Sequence, residues 1–181
     1  ELEVTLKLEN ESGAAGLAFG SNGGQMHYGF YPTGGKLRLT RFDGPTVFTW
    51  NILRELDTDV YRQGEWNTIK VRHEKRLIKC FVNDAPIFEM KDDGLANGRI
   101  GLSKFRDTKA EFQNFRIGKK LASLAPAPKL LEKLEKEVAA LKPTDEFDLK
   151  TIDDLKPNAL LNNDLLRKRA DKLEAQAGQL R

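Results

Sequence analysis

The sequence predicts a mainly β protein: an antiparallel β-sandwich over residues 1–118, followed by an α-helical hairpin over 129–181. Three observations carry this expectation. Apolar side chains recur at every second position through the first 117 residues. Clusters of Gly, Asn, Asp and Pro interrupt those runs at short intervals. Near residue 121 the apolar period then changes from two to about 3.6.

The opening stretch sets the pattern, with Val4, Leu6 and Leu8 alternating with Glu3, Thr5, Lys7 and Glu9. Leu37 and Leu39 alternate with Lys36, Arg38 and Thr40, and Ile69 and Val71 with Thr68, Lys70 and Arg72. Such alternation puts one face of a strand on a core and the other in water, as antiparallel sheets do. Turn signals separate the runs at Ser12-Gly13, Ser21-Asn22-Gly23-Gly24, Thr33-Gly34-Gly35, Asp43-Gly44-Pro45, Asn83-Asp84, Asp92-Asp93-Gly94 and Asn97-Gly98. Asn83-Asp84 stands between two apolar runs, where a hairpin needs residues that tolerate positive φ. Seven or more short strands with no intervening helical pattern argue a sandwich. Trp66, after a Gly-containing turn, is expected in the core, and Phe112 and Phe115 are expected to pack the last strand.

Residues 119–128 read as a Pro/Ala linker, because Pro126 and Pro128 lack backbone donors and turn their predecessors away from helix. Beyond it, Leu130, Leu131, Leu134, Val138 and Leu141 recur at helical spacing up to Pro143. A second helix is expected after Pro157, where Leu166, Ala170, Leu173, Ala177 and Leu180 step by four and three, the rhythm of a narrow packing seam. Two such helices do not bury their stripes alone, so a protein partner or self-association through 129–181 is expected.

The chain has 181 residues and a net charge of +3, and no block of five like charges occurs, which gives no footprint for nucleic acid. No run of about 18 apolar residues exists, so no membrane span is expected. The chain opens as a strand already in progress, with no basic-then-apolar leader, and reads as a piece of a longer precursor. Cys80 is the single cysteine and excludes a disulfide framework; inside an alternating run it reads as a small buried residue. His27 and His73, the two histidines, do not make a multi-His zinc site. His73, beside Glu74-Lys75-Arg76, is expected to face solvent. No Ser/His/Asp set, phosphate-binding loop or dinucleotide fingerprint is present.

From residue 64 onward the order Gly64-Glu65-Trp66-Asn67, then Val82-Asn83-Asp84, then Gly98-Arg99-Ile100-Gly101-Leu102, then Phe112-Gln113-Asn114-Phe115-Arg116-Ile117 carries a resemblance. It resembles the concanavalin-A-like jelly-roll domains grouped with 3-keto-disaccharide hydrolases and with laminin-G-like and family-16-glucanase-like modules. The likeness covers residues 1–118 and leaves the helical tail aside. It implies a jelly roll, a carbohydrate as partner, and an extracytoplasmic (periplasmic or secreted) setting. Read as physics alone, the same residues are turn and core positions.

Three sets of side chains are candidates for chemistry. Glu55, Asp57 and Asp59 would share one face of a strand at spacings of about 6.6 Å, whereas retaining glycosidases hold two carboxyls about 5–5.5 Å apart. The pattern resembles the Glu-x-Asp-x-Glu strand of family-16 glucanases but has Asp59 where the acid/base glutamate would stand, so the three are weak catalytic candidates. The bland reading is a solvated strand edge or loop. Calcium is the one cofactor considered, with Asp57, Asp59, Asp92 and Asp93 as oxygen donors, although no EF-hand spacing exists. The third set is a ligand-binding face made of His27, Tyr31, Arg41 and Trp50. In Met26-His27-Tyr28-Gly29-Phe30-Tyr31 the core set is Met26, Tyr28 and Phe30, which turns His27 and Tyr31 outward.

The reading that results is a non-catalytic, carbohydrate-directed recognition module of a larger exported bacterial protein. Two alternatives stand beside it: a glycoside hydrolase or lyase acting on a keto-disaccharide or glucan, and a structural assembly module.

Overall fold

The computed structural model describes residues 1–124 and, beyond them, Lys129, Leu130, Glu132, Lys133 and Lys136, which are helical. The helical hairpin expected over 129–181 otherwise lies outside the described residues. The chain divides into two units, Glu1–Ala122 and Ser123–Arg181. No helix among the described residues is long and apolar enough to cross a membrane.

The first unit holds ten strands: β1 (Leu2–Leu8), β2 (Ala14–Ser21), β3 (His27–Thr33), β4 (Lys36–Phe42), β5 (Trp50–Leu56), β6 (Asn67–Glu74), β7 (Leu77–Val82), β8 (Ala85–Lys91), β9 (Arg99–Phe105) and β10 (Ala110–Ile117). A single 3₁₀ turn, Val47–Thr49, precedes β5. The strands form two five-stranded sheets, ordered β10-β1-β6-β7-β8 and β5-β4-β3-β2-β9. Neighbouring strands pair antiparallel throughout both. The chain passes between sheets at β1–β2, β5–β6, β8–β9 and β9–β10, a topology consistent with a jelly roll.

The period-two pattern becomes the core directly. Leu2, Val4, Leu6 and Leu8 of β1, with Ile69, Val71, Ile78, Cys80 and Val82, meet Leu17, Phe19, Tyr28, Phe30, Leu37 and Leu39 of the other sheet in one buried cluster. Removing that apolar area from water drives the two sheets together. Cys80 is a packed residue of this core, and burial pushes its thiol pKa up.

Two tight hairpins set register. Asn83 and Asp84 both adopt positive φ, 50° and 66°, as the two-residue turn between β7 and β8 requires. Gly34 and Gly35, at 55° and 79°, do the same between β3 and β4. The two asparagines of the resemblance motif then tie the long β5–β6 connection down. Asn67 is fully buried; its Nδ2 donates to the carbonyls of Arg62 and Glu65, and its Oδ1 accepts from the Arg62 amide. Asn83 Nδ2 donates to Val60 O at 2.8 Å and to Asn67 Oδ1 at 3.0 Å, while its Oδ1 accepts from the Thr68 amide. These motif residues hold a loop.

Several expectations need correction here. Trp66 is half-buried and does not join the core cluster; Asn67 beside it takes the interior position. Phe112 packs on the core, but Phe115 is exposed, as is Ile117, on the last residues of β10, an edge strand with a bulge at Asn114 (φ 54°). His73 faces inward: it follows Ile69 and Val71 in parity, and its ring meets Phe19 and Tyr28 at centroid distances of 5.4 and 5.8 Å.

Candidate functional site

The outer face of the β5-β4-β3-β2-β9 sheet carries its own aromatic cluster, separate from the core. Register explains its membership. Counting outward from the Gly34–Gly35 turn, Tyr31 pairs with Arg38, Gly29 with Thr40 and His27 with Phe42, and each pair shares the face. On the other side of β4, Thr40 pairs with Ile52 and Phe42 with Trp50. A bulge in β5 makes Leu53 the extra residue, which packs against the core and brings Glu55, not Arg54, opposite Arg38. Ala14 of β2 pairs with Phe105 of β9 and completes the set.

The rings are in mutual contact. Phe42 stacks with His27 (4.5 Å, 15°) and with Phe105 (5.3 Å, 17°), and meets Trp50 edge-on at 5.1 Å. Tyr31 lies 5.6 Å from Phe105. These are the offset and edge geometries that aromatic quadrupoles favour. Tyr31 and Phe42 are nearly sealed, at 5% and 2% exposure, whereas Trp50 is 36% exposed and Phe48, on the 3₁₀ turn, 95%. The sheet can pack rings this way because Gly29 has no side chain. A Cβ there would stand 2.9 Å from Phe42 and 3.0 Å from Tyr31.

A groove of about 210 Å³ opens over this cluster, walled by Tyr31, Phe42, Trp50, Ile52 and Phe105, with Arg38, Arg106, Ser12, Thr33 and Thr40 among its polar residues. Tyr31 Oη and Thr40 Oγ1 share a buried hydrogen bond of 2.7 Å. Burial raises the Tyr31 pKa, so the phenol stays protonated within that bond. Arg38 Nε donates to Glu55, whose other oxygen accepts from Lys36 Nζ at 3.2 Å. The Arg38 hydrogen bond, helped by Lys36, holds the Glu55 carboxyl below its ordinary pKa. Chemically the site offers flat apolar walls with the Arg38 and Arg106 guanidinium groups at its rim.

His27, Tyr31 and Trp50, three of the four residues expected to bind, are therefore brought together. Arg41 is not. It pairs with Tyr28, on the core side of the sheet, and its guanidinium reaches Asp43 and Asp92 instead. The Tyr28 hydroxyl also donates to Asp92, and burial together with this bond pushes the Tyr28 pKa up to about 12. Arg41 is a latch across one end of the sandwich.

Glu55, Asp57 and Asp59 do not line up on one strand, because β5 ends at Leu56 and the two aspartates lie in the following loop and turn. The oxygen set suggested for calcium is likewise dispersed. Asp92 accepts from Arg41, Tyr28 and the Gly94 amide, and Asp93 pairs with Arg76. Among the described residues no three His, Cys, Asp or Glu side chains are placed to hold a metal ion.

Phe42, Phe105, Arg38, Thr40 and Arg106 escaped the sequence reading. Phe42, Thr40 and Arg38 were within reach, since the paired glycines imply a two-residue hairpin whose register puts them opposite His27, Gly29 and Tyr31. Phe105 and Arg106 arrive through the β2–β9 pairing, which has no local signal.

An antiparallel sandwich of jelly-roll type with a ring-walled groove on the outside of one sheet is the class that fold and site define together. The chain belongs to the 3-keto-alpha-glucoside-1,2-lyase-like domain family, whose sequence model matches residues 1–118. Among solved structures it is similar to the carbohydrate-binding module CBM66 from Bacillus subtilis. The identity is 19% and the TM-score 0.55, over 63% of this chain and 71% of that one, a likeness that shows the fold. Weaker likenesses are sheep galectin-11 in complex with glycerol and the CBM40 of Ruminococcus gnavus IT-sialidase bound to alpha2,3 sialyllactose. The first has 15% identity and a TM-score of 0.42, over 64% of this chain and 87% of that one. The second has 19% identity and a TM-score of 0.38, over 53% and 54%. No curated protein matches the chain.

Proposed function

We propose that residues 1–118 form a non-catalytic carbohydrate-recognition module whose ligand seats in the groove on the outer face of the β5-β4-β3-β2-β9 sheet. The observation that carries this reading is the Trp50–Phe42–Phe105–Tyr31 cluster, which leaves Trp50 and the half-buried Phe105 as an aromatic wall beside Arg38 and Arg106. Sugars present an apolar C–H face and equatorial hydroxyls, and such a wall with a few convergent polar groups matches both. The fold shared with CBM66, a carbohydrate-binding module by name, supports it. Affinity electrophoresis of the full chain through gels containing single polysaccharides tests it. Retardation by at least one polysaccharide, lost in Trp50→Ala, is expected; no retardation across a broad panel overturns it.

The same reading sets the module outside the cytoplasm as part of a larger exported protein, where polymeric glycans are met. Recovery of the chain only in the cytosolic fraction of the cells that make it would contradict this.

A second reading is favoured by the family match: a lyase acting on a 3-keto-glucoside. Elimination needs a base poised to take a proton at neutral pH. Glu55, the carboxylate paired with the groove's Arg38, is engaged by two cations, and this weighs toward binding. Turnover of a 3-keto-disaccharide by the purified chain, abolished by Glu55→Gln, would reverse the preference.

A further inference from the structure

We infer that the groove selects a sugar carrying a carboxylate, a hexuronate rather than a neutral hexose; this rests on the carbohydrate reading above. The polar rim includes two guanidinium groups, Arg38 and Arg106, and no carboxylate belongs to the groove's lining. Glu55, the acid adjoining that rim, already accepts from both Lys36 and Arg38. Both charged groups that line the groove are thus cations.

Arg106 is the unspent member. It lies in the exposed β9–β10 turn directly after Phe105, and its one hydrogen bond is a long contact, 3.5 Å, from Nη1 to the Ser12 carbonyl. Among the described residues no ion pair engages it, whereas Arg38, Arg41, Arg62, Arg72, Arg76 and Arg116 each have an acidic partner. Glu11, the acid nearest in sequence to Ser12, is itself held by the Tyr61 hydroxyl and the Gly35 amide.

An arginine fork matches a carboxylate in a bidentate way that a sugar hydroxyl does not offer. With the pyranose ring against Trp50 and Phe105, an equatorial carboxylate at the ring's edge falls toward Arg106. The lining thus divides into an apolar wall that reads the ring and a cationic end that reads its charge.

The test compares acidic and neutral glycans on the full chain. Polygalacturonate, alginate and hyaluronate are run in affinity electrophoresis beside fully methyl-esterified polygalacturonate, galactomannan and dextran. The expected result is retention by at least one uronate at least tenfold stronger than by its neutral counterpart, weakened by 0.5 M NaCl. Arg106→Gln should remove about a tenfold preference, the scale of one charge-assisted hydrogen bond, and Arg106→Lys should restore part of it. Equal or better retention by neutral glycans, unaffected by Arg106→Gln but lost in Trp50→Ala, overturns the charge inference and leaves the carbohydrate reading standing. No retention by any glycan overturns both.

Discussion

The imidazole of His27 lies on the ring of Phe42, centroids 4.5 Å apart and planes 15° from parallel. The contact joins β3 to β4 at the edge of the groove, and burial keeps the imidazole pKa below its ordinary value, against a smaller opposing effect of the Gln25 backbone. His73, wedged between Phe19 and Tyr28 with its Nε2 buried and unpartnered, is lowered for the same first reason.

Both histidines make stability depend on pH in one direction. The unfolded chain takes up protons near the ordinary imidazole value, about 6.5, where the folded chain resists them. Stability from this source is present above about 6.5 and is lost as pH falls from there through the lowered folded values. Urea midpoints measured from pH 8 to pH 5 should decline across that window, and His27→Asn with His73→Leu should flatten the decline. An unchanged slope in the double variant would contradict it.

Gly29 separates His27 from Tyr31 on the outer face, and an added methyl would press on Phe42 and Tyr31. Gly29→Ala should cost about 1–3 kcal/mol, the range for overpacking. Near-UV circular dichroism should change as the rings shift, and glycan retention should weaken. Chemical denaturation with the same spectra measures both.

Glu3 is 1% exposed and is held by the Arg116 guanidinium, which also donates to Ala122 O. Arg116→Met strands that carboxylate and should cost about 3 kcal/mol, at the low end for a broken buried pair because Arg116 itself is partly exposed. The double variant Glu3→Met/Arg116→Met should recover much of the loss, since an apolar pair leaves no orphan charge. Urea unfolding of the single and double variants decides it.

The Asn83 clamp predicts a graded pair. Asn83→Gly keeps the positive φ and loses the side-chain bonds to Val60, Asn67 and Thr68, for about 2 kcal/mol. Asn83→Ala adds the left-handed strain of about 1 kcal/mol, so Ala should be the worse by that margin in thermal or urea unfolding.

The core was legible because its signal is local. Val4, Leu6 and Leu8, or Leu37 and Leu39, announce their face by parity alone. Arg41 shows the same rule misapplied: its parity with Leu37 and Leu39 assigns it to the core side, and being charged is no evidence that it faces a ligand. Trp66 went astray because it lies in a loop, where parity assigns no face, and Phe115 because it lies near the end of an edge strand, β10, whose last residues stay exposed. The groove was half legible. His27 and Tyr31 follow from strand alternation, but Phe105 and Arg106 reach it through pairing of strands some 85 residues apart in sequence, β2 and β9.

The two tryptophans give the most direct test of the outer face as the binding surface, because Trp50 borders the groove and Trp66 does not. In ¹⁵N-labelled full chain, the indole N–H resonances are followed while the most strongly retained polysaccharide of the panel, cut to oligosaccharides, is titrated in. The account predicts that the Trp50 indole shifts and saturates, along with amides of Tyr31, Thr40, Phe42 and Phe105, while the Trp66 indole stays in place. A shift at Trp66 with Trp50 unmoved, or no shift at either, would contradict it.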